Sequence, residues 1–168
     1  MEALLRYGKL TIASSSPEQF LKLRGRRVET RRRQGMIARS AESNEDQGSA
    51  EILPASEKDR AENIIVVDLA RRDLSRLCST HSIEVTALCD LESYTLVHQL
   101  VSVIRVNLQE AKTLYIFLRA CFSGGSVTGV PKVRSMEIIV GTERVAREIY
   151  CAAIRFNGHM DTNIVIAL

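Results

Sequence analysis

Between residues 98 and 108, "HQLVSVIRVNL" puts Leu100, Ser102, Ile104, Val106 and Leu108 on one face of an extended chain and Val101 and Val103 on the other. A strand that is apolar on both faces must be covered on both, so this segment is predicted to be a central strand. Residues 7–14 alternate more loosely and predict a strand ending in the hydroxyl run before Pro17. "FLKLRGRRVET" predicts a hairpin, with Gly25 supplying the turn. Ile83 and Val85 suggest a short strand, and "YCAAIRF" and "DTNIVIAL" flank Asn157-Gly158, a hairpin signal. The last apolar run reaches the final residue with no turn or cap after it, which reads as an interrupted domain.

Helical periodicity is clearest after Ser56, which can cap a helix with Asp59 in capping-box spacing. Over "EKDRAENIIVVDLARRDLSRLC", Ala61, Ile65 and Leu69 fall on one stripe, with Ile64 and Val67 beside it. "EAKTLYIFLRAC" predicts a second helix with Ala111, Leu114, Leu118 and Cys121 in register. Pro131 sits where a third would begin, since its missing N–H costs nothing there, and "KVRSMEIIV" continues it. Residues 41–55 are polar with Gly and Pro, and predict a loop containing at most one short helical turn.

The length of 168 residues fits one domain with a real core, and the 45% apolar and 26% charged content is ordinary for a globular chain. No window approaches the roughly 18 apolar residues of a membrane helix. "MEALLRYGKLTIASSS" has an early acid and no sustained apolar core, unlike a signal peptide. Cys78, Cys89, Cys121 and Cys151 are scattered without CxxC pairing, so a cytoplasmic protein with reduced thiols is expected. The net charge of +3 conceals a basic run. Residues 22–39 hold eight Lys or Arg against one acid, Glu29. No aromatic is interleaved there, and no helix-turn-helix or RNA-binding signature accompanies it, so a solvated strand face is expected and nucleic acid is not.

"CFSGGSVTGVPK", residues 121–132, bares much backbone. It is not a P-loop, because Val130 stands where the lysine after Gly129 must be, and it lacks the GxGxxG of a dinucleotide site. What remains is a helix N-terminus that favours an anion in general, or a tight turn between helices.

Five stretches decide more when taken in order: "SSSPEQFL", "ASEKDRAENIIVVDLARRDLSRLC", "SYTLVHQLVSVI", "CFSGGSVTGVPKVRSMEII" and "DTNIVIAL". Together they resemble the chorismate-utilising enzymes, the aminodeoxychorismate synthase component I type first and anthranilate synthase component I next. The resemblance implies an α/β fold of mostly antiparallel sheets in a two-sheet sandwich with outer helices, of which residues 1–168 would be a part. It implies amination of chorismate, with ammonia from a glutamine amidotransferase subunit and Mg²⁺ on the ring carboxylate. By that resemblance Glu18 of "SPEQF" is the general acid that protonates a departing hydroxide, and Glu62 of "DRAEN" is a Mg²⁺ ligand. Gly35 brings backbone close to the ligand, while Ser126 of the glycine loop and Tyr150 touch the substrate. Asp59 could act behind Glu62, and ordinary capping explains it equally well.

The departures from the family pattern fall on working parts. The family's "PIKGT" reads Arg32-Arg33-Gln34-Gly35-Met36, and an amide nitrogen has no lone pair with which to replace the attacking lysine. The second of two paired histidines is Gln99, and the arginine after the last strand is absent from Ala167-Leu168. Smaller changes fall at Arg72, Ser123, Ala152 and Arg155. The family's catalytic base would lie before Met1, and a second Mg²⁺ carboxylate after Leu168. The sequence therefore predicts either an impaired chorismate-aminating enzyme or a non-catalytic remnant that only binds ligand or partner.

Overall fold

A computed structural model describes residues 2–16, 19–79, 81–110, 112–156 and 161–166. Two antiparallel sheets carry the strands. The smaller pairs β1 (Glu2–Tyr7) with β2 (Leu10–Ser15). The larger has the order β5-β6-β4-β3-β8-β7, built from β3 (Gln19–Arg24), β4 (Arg27–Ala38), β5 (Glu84–Ser93), β6 (Val97–Asn107), β7 (Ala153–Phe156) and β8 (Asp161–Ile166). The helices are α1 (Ser43–Ala55), α2 (Glu57–Ser75), α3 (Leu114–Cys121), α4 (Gly125–Thr128) and α5 (Lys132–Glu143). This is the mixed, antiparallel architecture the resemblance implies. No helix among the described residues is long and apolar enough to cross a membrane.

The doubly apolar strand is β6, and it lies between β5 and β4. Ile104 and Val106 join Val28 of β4, Leu21 and Leu23 of β3, and Val67, Ala70 and Leu74 of α2 in the main core. On the opposite face of the sheet Val101 and Val103 are also buried, opposite Arg33 and Arg31. Long basic side chains can cover apolar neighbours with their stems while their heads stay wet. The basic run is therefore divided between two faces. Arg31 is paired with Glu92, and Arg105 reaches Glu29 at 2.9 Å. Arg32 points the other way and is buried.

Several expectations need correction. Residues 7–14 are not one strand but parts of two, because Gly8, at φ +59°, turns the chain between Tyr7 and Leu10. β5 is ten residues long, and register shifts along it erase the alternation that would have announced it. Residues 41–55 are not a loop: α1 occupies Ser43–Ala55. It buries only Leu53, so no apolar stripe marks it. Asp46 anchors it instead, accepting from Arg39 Nη2 at 2.6 Å and lying 3.0 Å from His98 Nε2.

The buried stripe of α2 also differs. Asn63, Val67, Ala70 and Leu74 face inward, whereas Ile64 and Ile65 are exposed. Asn63 can be buried because its partners are: its Nδ2 donates to Leu100 O at 3.4 Å, and Ser102 Oγ donates to its Oδ1. Ser102 in turn accepts from Cys89 N at 2.8 Å. The Ser56 cap is present, with Asp59 N donating to Ser56 Oγ at 3.3 Å. Asn157-Gly158 and Ala111 lie outside the described residues.

Candidate ligand-binding site

Two neighbourhoods along α2 hold the residues the sequence singled out. The first is the bulge in β4, where the register against β6 shifts between Gln34 and Met36. Gly35 sits there at φ +71°. A Cβ added to it would lie 3.0 Å from Asp59 Cβ and Cγ and 3.0 Å from Leu53 Cδ1. Glycine is thus required by the backbone and by the close approach of both helices, quite apart from any ligand. Gln99 Nε2 donates to Met36 Sδ at 3.5 Å across the same bulge. Glu62, one turn beyond Asp59, is exposed.

The second neighbourhood is the glycine loop, where α4 packs on α2. A Cβ on Gly125 would fall 2.8 Å from Leu69 Cδ1, and one on Gly124 would meet the Phe20 ring at 3.5 Å. Thr128 Oγ1 donates to Gly124 O at 3.0 Å and closes the turn. Ser126 is exposed on α4. Behind the loop, Lys132 Nζ bonds Asp73 Oδ2 at 2.5 Å and Cys121 O at 3.2 Å. Burial, then the Asp73 charge, pushes the Cys121 thiol up to about 12. Burial alone pushes Cys78 up to about 11.

Outside the loop runs an open, mainly apolar groove of about 430 Å³ lined by Phe122, Ser123, Thr128, Met136, Val140 and Tyr150 among others. Tyr150 is 58% exposed, with the Arg147 guanidinium 6.0 Å from its ring centre. Arg147 is held in turn by Glu143 and by Val127 O at 3.2 Å.

The fold brings the glycine loop and Tyr150 to one groove and Gly35 and Glu62 to the other end of α2. Seven residues of helix separate Glu62 from Leu69, a rise of roughly 10 Å. Glu18 and Ala167-Leu168 lie outside the described residues. Mg²⁺ needs about six hard oxygens. Among the described residues no three Asp, Glu, His or Cys side chains converge to hold an ion, so these residues do not make a complete Mg²⁺ site.

One residue of this region was not singled out from the sequence. Arg32 is 4% exposed and lays its guanidinium 5.5 Å from the Phe20 ring centre. Strand alternation was the available signal, since Thr30, Arg32 and Gln34 share a face of β4.

A family model described as chorismate binding enzyme matches residues 1–167. The chain is 45% identical over 161 residues to aminodeoxychorismate synthase, chloroplastic, of Arabidopsis thaliana, covering 94% of this chain and 18% of that protein. It is 42% identical over 167 residues to aminodeoxychorismate synthase component 1 of Escherichia coli (strain K12), covering 98% of this chain and 37% of that one. The structure of anthranilate synthase component I from Streptococcus pneumoniae TIGR4 superposes with a TM-score of 0.85 at 30% identity, over 100% of this chain and 37% of the other. The chain thus spans well under half the length of these relatives while matching them along nearly all of its own. With the motif order, the antiparallel α/β scaffold and the family match in agreement, this chain belongs to the chorismate binding enzyme family.

Proposed function

We propose that this chain is part of the chorismate-aminating subunit of an aminodeoxychorismate synthase. Residues 1–168 then form a portion of a larger chorismate-binding domain whose ammonia comes from a glutamine amidotransferase partner in the cytosol. The observation that carries this is 42% identity to a component 1 along 98% of the chain. That relative is a component 1, which implies a second component.

On this reading Glu18 donates a proton to the departing ring hydroxyl, because hydroxide leaves poorly unless protonated. Ser126 and Tyr150, at the glycine loop and its groove, seat the polar substituents of the ring. Gly35 keeps β4 against the helices, so that Gln34 is presented beside them. The Gln34 amide cannot make the covalent attack of a lysine, and Gln99 cannot exchange a proton near neutral pH. Turnover by this chain is therefore slow. Mg²⁺ would neutralise the ring carboxylate, with Glu62 as one of its ligands.

The test is to incubate the chain with chorismate, Mg²⁺ and ammonium and to separate the products by chromatography. Aminodeoxychorismate above a Glu18→Ala control is expected. Anthranilate in its place would assign the tryptophan-pathway alternative, and no product above the control would refute an enzymatic role. Gln34 and Gln99 together favour a second reading, a non-catalytic remnant that binds ligand or partner. Product formation above the control excludes it.

A further inference from the structure

We propose that Ser93, His98 and Asp46 form a hydrogen-bonded relay that makes the Ser93 hydroxyl a nucleophile toward activated acyl esters. None of the three is among the residues assigned above to chorismate chemistry.

The hairpin that joins β5 to β6 makes the first contact. Its register sets Ser93 directly opposite His98, and Tyr94 N donates to Val97 O at 2.8 Å to close the turn. Ser93 Oγ then lies 2.8 Å from His98 Nδ1. The first turn of α1 makes the second contact, with Asp46 Oδ1 3.0 Å from His98 Nε2. Asp46 also accepts from Arg39 Nη2 at 2.6 Å and from Ser40 N at 3.2 Å, and Arg39 above all keeps its carboxyl ionised. An ionised carboxylate only accepts hydrogen bonds, so Nε2 carries the proton of the imidazole. Neutral His98 is left with a bare Nδ1, and Ser93 donates to it. His98 is 2% exposed, whereas Ser93 is open to solvent. The base is thus fixed in place while the nucleophile is reachable. A hydroxyl bonded to a base that a third group orients is the arrangement that activates serine.

In the step, Ser93 Oγ bonds to the ester carbonyl carbon and its proton passes to His98 Nδ1. The bond from that carbon to the leaving oxygen breaks as the oxygen takes the proton from His98. Water, deprotonated by the same nitrogen, then releases the acid and restores the serine. Asp46 offsets the charge on the imidazolium and Arg39 opposes it. The gain therefore falls at the lower end for a positioned base, about 100-fold.

The whole chain is treated briefly with p-nitrophenyl acetate, quenched in acid, and its acetylated serines are quantified by peptide mass spectrometry. The reference is Ser75, also exposed, whose hydroxyl donates to Arg72 O at 2.8 Å, a carbonyl that takes no proton. Ser93 is expected to be acetylated at least about 100-fold faster than Ser75, and His98→Gln should bring it down to the Ser75 rate. The Asp46→Asn amide donates to Nε2 and moves the imidazole proton to Nδ1. That variant should lose the excess rate too, with the proton shift visible in nitrogen-15 spectra of His98. Ser93 labelled no faster than Ser75 overturns the proposal, and so does an unchanged rate in His98→Gln. If the variants do not fold, the wild type decides through the Ser93 to Ser75 ratio and its nitrogen-15 spectrum. A wild-type proton on Nδ1 overturns the proposal. Chorismate takes no part in these measurements, so their outcome is independent of the amination assay.

Discussion

Replacing Gly35 with alanine tests the structure at the point where β4, α1 and α2 converge. At φ +71° a non-glycine residue carries roughly 1–2 kcal/mol of backbone strain. The added methyl would also lie 3.0 Å from Asp59 Cβ and Cγ and from Leu53 Cδ1. Leu53 is buried, and Asp59 accepts from the Ser56 hydroxyl at 2.5 Å, so neither can yield without loosening the core or the α2 cap. Overpacking of this kind typically costs about 1–3 kcal/mol. Strain and crowding overlap, and about 2–4 kcal/mol in total is expected. For a chain of this length each kcal/mol lowers Tm by about 2–4 °C, so thermal unfolding followed by circular dichroism should shift down by roughly 5–15 °C. Gly48→Ala is the control. Gly48 lies inside α1 with nothing within 4 Å of an added Cβ, and alanine there should stabilise by up to about 1 kcal/mol. A Gly35→Ala protein within about 0.5 kcal/mol of wild type in urea would refute the reasoning, as would equal losses at both positions.

Four further outcomes follow from the same geometry. Ser56→Ala removes the α2 cap and should cost about 1 kcal/mol in a urea titration. Asn63→Ala strands the buried Ser102 hydroxyl and the Leu100 carbonyl, and should cost about 2–3 kcal/mol by the same measurement. Arg39, with help from His98 and Ser40, holds the Asp46 carboxyl well below the usual carboxylate range. A depressed pKa stabilises the fold fully above its unfolded value near 4, and that contribution fades as pH falls further. Asp46→Asn should therefore lose stability at pH 7 and converge on wild type in acid. With Cys78 and Cys121 buried and their thiols raised while Cys151 is half-buried, iodoacetamide should label Cys151 first, as peptide mapping would show.

Local chemistry was legible wherever one segment decides its own structure. The doubly apolar pattern of residues 98–108 required cover on both faces and did place β6 inside the sheet. The Ser56 cap and the Gly25 turn depend on neighbours three or fewer residues away, and both are present. α1 was missed because a helix held by Asp46 through Arg39 and His98 leaves no apolar period to detect. The α2 stripe was misplaced for a related reason. Asn63 counts as polar in any sequence pattern, yet Ser102 and Leu100 of β6 satisfy it and carry it into the core.

The site divides along the same line. Motif order alone pointed to chorismate chemistry and to Gly35, Glu62, Ser126 and Tyr150, because such motifs are short and contiguous. The sequence by itself thus determined the family, the central strand and the helix cap, all of which rest on nearby residues or on order along the chain. Only the tertiary structure decided that Gly35 is wedged between two helices, that Tyr150 shares a groove with the glycine loop, and that Arg32 lies buried behind it. Those outcomes depend on which side chains meet across elements far apart in the chain, and no local pattern encodes such meetings.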